Sequence, residues 1–348
     1  MKKLKYLAVF SLPLTVWISF QNTGWLTFLP LLIFFGIVPF AEMLFTPDAS
    51  NLDEKERELA ANDPFYDWLL YLMVPLQWVF LIYYLMYIPF EKETFSLVGK
   101  TISMGIMCGV IGINLGHELG HRLKFHEQLL GDILLLSSLE NHFVPYHNRG
   151  HHTNVGTPQD PATARKNELL FVFWFRSQIG SYIQAWQIEQ ERLSISGQRF
   201  CSLKNKMIQY SLMHLSLLLI LYFLFGVYSL LGFLTVAIIG ILLLETVNYI
   251  EHYGLVRSKT NNGNYERVRR WHSWNSNHIL GRIILFELSR HSDHHFKADR
   301  PYQLLESHDE SPTMPLGYPG MMLMALVPPL FFAVMNQRIE FSQRNVKN

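Results

Sequence analysis

Long apolar runs, separated by short polar segments, dominate the first 115 residues and recur between residues 207 and 250. Each run is close to the roughly 20 residues that an α-helix needs to cross a bilayer. The pattern predicts six transmembrane helices, near residues 6–20, 25–45, 68–89, 95–115, 207–225 and 230–250. The predicted fold class is an all-α membrane protein, with residues 1–348 forming a single integral-membrane domain.

The basic residues predict the orientation of these helices. Most Lys and Arg residues fall in the segments 46–67, 116–206 and 251–348, whereas the opposite connections contain Lys92 and little else. Positive residues favour the cytoplasmic side, so both termini and the long segments 116–206 and 251–348 are predicted to be cytoplasmic. Within them, residues 125–139 and 168–191 are predicted to form interfacial helices, and residues 279–290 a further helix. The apolar run 321–334 is too short for a seventh crossing, so we expect it to be re-entrant or at the membrane surface.

Composition narrows the function further. Apolar residues make up 49% of the chain and charged residues 16%, and the formal net charge is +1. This balance argues against nucleic-acid binding, which needs concentrated positive charge. The two cysteines, Cys108 and Cys201, form no CxxC pair, so the chain contains no rubredoxin-like iron site, zinc ribbon or disulfide framework of its own. Both are expected to be small buried residues.

Histidines gather in four groups on the predicted cytoplasmic side. His117 and His121 are four residues apart, so on a helix their side chains share one face. HNRGHH and RHSDHH supply two groups of three, and a single histidine ends the predicted sixth helix. The nine candidates are His117, His121, His147, His151, His152, His252, His291, His294 and His295. Since one ion seldom binds more than about six ligands, nine imidazoles predict two metal ions, iron or copper rather than structural zinc.

Four carboxylates lie beside or near these histidines: Glu118, Asp160, Glu251 and Asp293. A ligating imidazole usually donates its second N–H to such a group, and we favour that role over direct, bridging coordination. Among the remaining histidines, His214 is expected to be a hydrogen-bonded helix residue. His272 and His278 have either a supporting or a purely structural role.

The motifs HELGH, HNRGHH, NYIEHYGL and RHSDHH resemble those of integral-membrane alkane 1-monooxygenases, non-haem di-iron enzymes of the membrane fatty acid desaturase and hydroxylase superfamily. WNSNH and LGYPGM also resemble that family, and the resemblance extends from about residue 23 to residue 335. The HxxxHH spacing differs from the HxxHH of fatty-acyl desaturases. The chain departs from the usual family pattern at Thr153, Asn154 and Trp271.

The resemblance implies a specific activity. It implies two iron ions (Fe2+/Fe3+) held by the nine histidines, in a protein of the bacterial inner membrane. It implies terminal hydroxylation of n-alkanes to 1-alkanols with O2 and electrons from reduced rubredoxin, which an NADH-dependent reductase regenerates. This agrees with chemical reasoning, because an unactivated C–H bond offers no charge for acid–base catalysis and requires an oxidant made from O2 at a redox metal.

An alkane dissolves in membrane lipid, so the helices are expected to form a dry channel to the metal. Ile113 and Leu288, each about one turn before a histidine motif, are predicted to face the metal if both segments are helical. The family resemblance suggests Phe34 as a length-limiting residue. Ordinary packing is the alternative for all three, and it is the favoured interpretation for Phe34. The rubredoxin surface is predicted at the basic residues Arg122, Lys124, Arg149, Arg165 and Lys166, although a positive-inside anchor explains some of these charges.

Two other functions compete with this interpretation. A related membrane di-iron oxygenase could act on an alkylbenzene methyl group or an acyl lipid. A histidine-lined metal transporter would place its histidines at mid-membrane depth. Here they gather at helix ends and in cytoplasmic segments, which disfavours a transporter.

Overall fold

The computed structural model describes residues 2–347 and is almost entirely helical. Within these residues, five helices are long and apolar enough to cross a membrane: Lys2–Gln21, Gly24–Leu44, Phe65–Phe90, Thr94–Gly120 and Lys206–His252. The prediction of an all-α membrane protein is therefore confirmed. The first four helices correspond to the first four predicted spans.

The predicted fifth and sixth spans both lie in the helix Lys206–His252. Its 47 residues would measure about 70 Å if straight, more than twice the roughly 30 Å hydrocarbon core of a bilayer. Gly226 interrupts it with φ 78° and ψ 175°, a backbone conformation that favours glycine. The two arms on either side of Gly226 coincide with the two predicted spans, and six crossings remains our prediction.

Two of the candidate spans contain a π-helical turn. In Gly24–Leu44 it covers Leu32–Ile37 and lies between two prolines, which cannot donate a backbone hydrogen bond. In Thr94–Gly120 it covers Cys108–Ile113, immediately before the turn that contains the first histidine pair. Such turns shift the register of the residues that follow them, and they often occur at functional sites.

The other helices are shorter or lie outside the apolar runs. The α-helices are Glu54–Asn62, Phe125–Leu136, Phe143–Tyr146, His152–Asn154, Leu170–Ile195, Ile279–Ile284, His291–Phe296, Tyr318–Ala325 and Pro328–Lys347, with a π-helical turn at His147–His151 and 3-10 turns at Arg270–His272 and Tyr302–Leu304. Extended pairing in the described residues is limited to two isolated bridges, Lys259 with Tyr265 and Asn275 with Thr313. The apolar run 321–334 is divided between the last two helices, and neither is among the five candidate spans.

The chain divides into two compact units, each assembled from three separate stretches of sequence. Unit 1 comprises the residues up to Phe34, Pro64–Pro145 and Ile183–Leu244. Unit 2 comprises Phe35–Asp63, Tyr146–Tyr182 and the residues from Glu245 onward. The first histidine pair therefore belongs to unit 1 and the other seven candidate ligands belong to unit 2.

In unit 1, the end of the fourth candidate span packs closely on the helix Phe125–Leu136. A side chain at Gly131 would place its Cβ 3.0 Å from the Gly116 carbonyl oxygen and 3.1 Å from the Gly120 nitrogen. Only glycine permits backbones to approach so closely. This contact positions the turn that contains His117.

In unit 2, polar contacts attach the segment that precedes the RHSDHH motif to residues 42–51. Glu42 accepts a hydrogen bond from the Gly281 N–H at 2.7 Å, and Arg282 forms an ion pair with Asp48 at 3.3 Å. Arg290 donates to the carbonyl oxygens of Ser50 and Leu305, both at 2.7 Å. These contacts hold the two buried arginine side chains and thereby fix the approach to the helix His291–Phe296.

Two local expectations are wrong. The helix predicted at residues 279–290 ends at Ile284, because Phe286 and Glu287 both have positive φ, 53° and 57°. Leu288 therefore lies in a turn, and its expected position one helical turn before the histidine motif does not apply. Cys201 is exposed, whereas Cys108 is buried as expected.

Candidate metal centre

The second histidine motif forms consecutive turns of helix, a π-helical turn at His147–His151 followed by His152–Asn154. Successive residues on a helix point about 100° apart, so adjacent histidines cannot reach the same point. His151 and His152 accordingly enter different groups. The helix His291–Phe296 divides His294 and His295 in the same way. Each HH pair thus serves two sites, which is why the motifs contain doubled histidines.

One group in unit 2 contains His147, His152 and His294. The Nε2 atom of His152 lies 3.0 Å from Nε2 of His147 and 3.2 Å from Nε2 of His294. Neighbouring nitrogens on an ion with bonds of about 2.1 Å and right-angled geometry would be about 3.0 Å apart. The three rings therefore have the spacing of ligands that surround one cation.

The other group in unit 2 contains His151, His252, His291 and His295, all buried. Nε2 of His291 lies 3.1 Å from Nε2 of His252 and 2.9 Å from Nε2 of His295. His252 ends the long helix Lys206–His252, and the others come from the two HH motifs. Four imidazoles from three separate stretches thus present nitrogen atoms to one point.

His151 provides the clearest test of whether these residues suit a metal. Its Nδ1 lies 2.9 Å from Oδ2 of Asp160, which assigns the ring proton to Nδ1. Its Nε2 is buried and has no hydrogen-bond partner. A buried nitrogen lone pair without a partner costs free energy, and a cation would remove that cost. The donor set therefore fits a metal ion bound by neutral imidazoles.

Asp160 is held as an anion by its neighbours. Burial raises the pKa of its carboxyl, but the His151 ring and hydrogen bonds from Thr163 (2.6 Å) and Tyr146 (2.6 Å) outweigh burial and lower that pKa to about 2. An ionised carboxylate accepts the Nδ1–H and fixes the imidazole orientation. Tyr146 and Thr163 did not emerge from the sequence, because nothing in their spacing distinguishes them from other polar residues.

The other three carboxylates differ from one another in their partners. Oε2 of Glu251 lies 3.2 Å from Nε2 of His291, and Oε1 accepts a hydrogen bond from Tyr318 at 2.6 Å. Glu118 forms an ion pair with Arg122 at 2.9 Å. Sequence proximity alone does not decide what a carboxylate contacts.

Asp293 belongs to an ion-pair network. Its carboxylate lies 2.6 Å from Arg300 and 3.0 Å from His308, and Arg270 approaches it at 3.5 Å. Asp293, Glu306 and His308 also have the mutual spacing of metal ligands. Two guanidinium groups already neutralise Asp293, so this cluster is better explained as an ion-pair network than as a cation site.

His117 and His121 form a pair within unit 1. Their Nε2 atoms lie 3.1 Å apart, at the end of the fourth candidate span. The edge of Phe143 contacts the His117 ring with centroids 5.6 Å apart. Phe143 also packs with Ile113 in a buried core cluster. Ile113 is thus buried in this cluster, and its role toward the metal stays a prediction.

The remaining histidines have other partners. His272 accepts a hydrogen bond at Nδ1 from the Arg269 N–H at 3.0 Å, and Ser276 lies 3.0 Å from Nδ1 of His278. Neither is in a metal-capable group of the described residues. His214 contacts the Asn141 side chain at 2.9 Å, so it is a hydrogen-bonded helix residue, as expected.

The predicted docking residues are not equivalent. Arg122 is largely buried and forms ion pairs with Glu118 and Asp67, so little of its charge is available to a partner. Lys124, Arg149, Arg165 and Lys166 are exposed. Phe34 is buried within the π-helical turn of the second candidate span.

This fold and these histidine groups define a helical membrane protein with closely spaced sites for metal. The model of the fatty acid desaturase family matches residues 94–325. The alkane 1-monooxygenase of Ectopseudomonas oleovorans is 38% identical over 328 residues, covering 93% of this chain and 81% of the relative. That of Acinetobacter baylyi is 39% identical over 310 residues, covering 87% and 74%.

The xylene/toluene monooxygenase hydroxylase component of Pseudomonas putida is more distant, with 29% identity over 245 residues, covering 70% of this chain and 64% of the relative. The chain therefore belongs to the alkane 1-monooxygenases, within the fatty acid desaturase family. The resemblance found in the histidine motifs is confirmed.

We expect Asp160→Asn to lower metal affinity by about 10- to 100-fold. The amide would donate to Nδ1 of His151 and move the ring proton to Nε2, where a metal would bind. Chelator competition on the purified protein measures the affinity. Tyr146→Phe, which removes one hydrogen bond to Asp160 but leaves the His151 contact, is expected to lose much less metal affinity. Asp299→Asn is a control at an exposed position. Equal affinities in all variants would contradict this role.

His142 is expected to make unfolding sensitive to acid. Burial, and then repulsion from His214, lowers the pKa of His142 from 6.5 to about 3. Below pH 6.5 the unfolded chain binds a proton that the folded protein excludes, so stability is present above 6.5 and is lost as the pH falls toward 3.

Replacing this ring with a side chain that does not titrate, as in His142→Gln, should reduce the dependence of the unfolding free energy on pH by about 1.4 kcal/mol per pH unit between pH 6 and 4. Thermal unfolding in detergent at a series of pH values measures this dependence. At pH 7.5 the two proteins should differ only by a constant amount. Parallel curves at all pH values would show that His142 does not contribute.

Proposed function

We propose that this protein hydroxylates the terminal methyl group of n-alkanes to give 1-alkanols. The observation that supports this best is the division of each HH pair between two histidine groups, one containing His147, His152 and His294 and the other containing His151, His252, His291 and His295. Two adjacent sites of neutral nitrogen ligands suit two iron ions better than structural zinc, for which cysteine is a common ligand. The relatives named alkane 1-monooxygenase support the substrate class.

We assign all nine motif histidines, with His117 and His121 as further ligands, to one di-iron centre, as the family resemblance implies. When bound, the two irons supply the redox chemistry that reduces O2. The overall reaction consumes the alkane, O2, two electrons and two protons, and it yields the alkanol and water. The protein's own contribution is to hold neutral imidazoles in place, with Asp160 keeping the proton of His151 on Nδ1.

The substrate is proposed to enter from the membrane. An alkane has no polar group that the protein could bind, so the shape of an apolar channel must select for chain length. Phe34 is buried within the second candidate span and is our proposal for a residue that limits this length. We place the protein in the bacterial inner membrane with both termini in the cytoplasm, because the segments rich in Lys and Arg then face inward.

Electrons are proposed to come from reduced rubredoxin, which an NADH-dependent reductase regenerates. The chain has no CxxC pair that could form a rubredoxin-like site of its own. We propose that the carrier docks on the cytoplasmic side of the protein. In the patch expected from the sequence, Lys124, Arg149, Arg165 and Lys166 are exposed, whereas Arg122 is engaged in ion pairs.

The purified protein, supplied with iron, rubredoxin, reductase and NADH, is expected to convert octane to 1-octanol and to contain two iron ions per chain. Gas chromatography and elemental analysis measure the two results. Xylene and an acyl chain, offered in the same assay, test the alternative of a related oxygenase. Hydroxylation of either in preference to octane and hexadecane would overturn the alkane assignment, and absence of iron would overturn the di-iron centre. His151→Ala should lose both iron and activity, and His214→Gln should retain iron.

Replacing Phe34 with alanine should admit longer alkanes, because it removes bulk from the proposed channel. The ratio of products from octane and hexadecane in one competition assay measures this change. Phe331→Ala, which truncates a buried phenylalanine in the last helix, is the matched control for general loss of packing. An unchanged ratio in Phe34→Ala would reject Phe34 as the residue that limits length.

A further inference from the structure

Unit 2 contains an open cavity of about 600 Å³ that is not part of either histidine group. Its lining includes Trp271, Trp274, Glu310, Arg338 and Phe341. Trp274 is fully buried, Trp271 is partly buried, and Phe341 is 68% exposed. Tryptophan and arginine are the residues that most often dominate binding at protein interfaces. The cavity therefore has the composition of a docking site for a protein.

Trp274 connects this cavity to a candidate metal ligand. Its backbone N–H donates to the Glu251 carbonyl oxygen at 2.8 Å, and its indole N–H donates to the Tyr253 carbonyl oxygen at 2.9 Å. These two carbonyl groups flank His252 in the chain. The neighbouring Ser273 hydroxyl lies 3.4 Å from Nδ1 of His252. Trp274 therefore both lines the cavity and hydrogen-bonds to the two residues that flank His252.

The segment that leads into the cavity is strongly basic. We call residues 256–271 the basic hairpin, because Lys259 and Tyr265 form an antiparallel bridge around a turn at Gly263. It contains five basic residues against one acidic residue, Glu266, in a chain whose formal net charge is only +1. Charge is therefore concentrated here far above the average for the protein.

The hairpin directs some of these charges outward. Arg257 binds the Glu266 carbonyl oxygen within the hairpin, and Lys259 lies over the Tyr265 ring at 5.6 Å. Arg267 and Arg269 are exposed. Arg269 also lies over the Trp271 ring, 5.9 Å from its centroid, so positive charge borders the aromatic part of the cavity.

The acidic residues of the cavity do not cancel this charge. Arg270 forms an ion pair with Glu310 at 3.0 Å, which neutralises that carboxylate. Asp309 is exposed on the lining, and Arg338 contributes a positive charge to the same lining. A partner with a negative surface would therefore be attracted to the hairpin side of the cavity.

We propose that the cavity and the basic hairpin bind the electron donor, a small acidic one-electron carrier protein, and that Trp274 lies on the route by which its electrons reach the metal. This inference rests on the proposed function. Complexes for electron transfer have small, transient interfaces, which suits a single cavity with a charged border. Each docking event oxidises the carrier by one electron and reduces the metal pair by one. Two events accompany each hydroxylation, together with two protons.

Charge reversal at the exposed arginines of the basic hairpin tests whether the carrier binds there. The variant with Arg267→Glu and Arg269→Glu is compared with the charge-conserving variant with Arg267→Lys and Arg269→Lys. A third variant, with Arg165→Glu and Lys166→Glu, tests the patch expected from the sequence. Binding of purified oxidised rubredoxin to the detergent-solubilised protein is measured by calorimetry at low and high salt. The apparent KM for reduced rubredoxin and the iron content are measured in the same preparations.

The hairpin reversal is expected to weaken rubredoxin binding and to raise its KM by about ten-fold or more, with unchanged iron content and a weaker dependence on salt. The lysine variant should behave like the wild type. Trp271→Ala should weaken binding without changing the salt dependence, because it removes an uncharged contact. Unchanged binding and KM in the hairpin reversal, or loss only in the variant at residues 165 and 166, would overturn the proposal.

Binding to vesicles that contain anionic phospholipid tests a membrane surface as the occupant. If the hairpin reversal weakens vesicle binding but leaves rubredoxin binding unchanged, the hairpin contacts lipid and the proposal is wrong. The proposed function fails separately, when the wild type does not hydroxylate octane with saturating rubredoxin. Normal hydroxylation by the wild type, combined with unaltered kinetics of the hairpin variants, would reject only the docking site.

Discussion

The mutual approach of buried imidazole nitrogens constrains unit 2 more than any other interaction. Nε2 atoms of six histidines each lie 2.9–3.2 Å from a neighbouring Nε2 in two clusters, and a seventh, His151, presents an unpartnered Nε2. A neutral imidazole has one N–H and one lone pair, so several Nε2 atoms that face one point cannot all be satisfied by each other. A cation at that point would be bound by the same lone pairs. The surrounding contacts hold the rings in positions that are compatible with this binding.

Rigid backbone elements hold these rings. The HH motifs lie on short helical turns, so each pair diverges by about 100° and supplies both groups. Glu42, Arg282 and Arg290 attach the approach to His291 through hydrogen bonds and an ion pair. In unit 1, glycine at position 131 permits the backbone contact that positions the turn of His117. A site whose ligands are fixed by the backbone needs little reorganisation when a metal binds.

The aromatic cavity and the basic hairpin form a second surface of unit 2, which we propose as the docking site of the electron carrier. The candidate ligands of unit 2 are mostly buried imidazoles, which bind a cation in their neutral form. The hairpin contains exposed basic residues, as long-range attraction of an acidic carrier would require. Trp274 is the residue common to both regions, with one side on the cavity and hydrogen bonds on either side of His252. The same short stretch of chain thus borders both the buried histidine group and the exposed basic hairpin.

The lengths of the apolar runs were sufficient to predict the helical membrane class and the first four spans, because bilayer thickness and the rise of a helix set the length of a spanning segment. The family followed from the resemblance of the histidine motifs. The sequence also identified the four histidine groups as one set of candidate metal ligands. Only the tertiary structure decided that Asp160 contacts His151 whereas Asp293 contacts arginines, that Phe286 and Glu287 end a helix before Leu288, and that Trp274 lies beside His252. These contacts join residues from separate stretches or depend on left-handed backbone at non-glycine residues, and no local pattern encodes either.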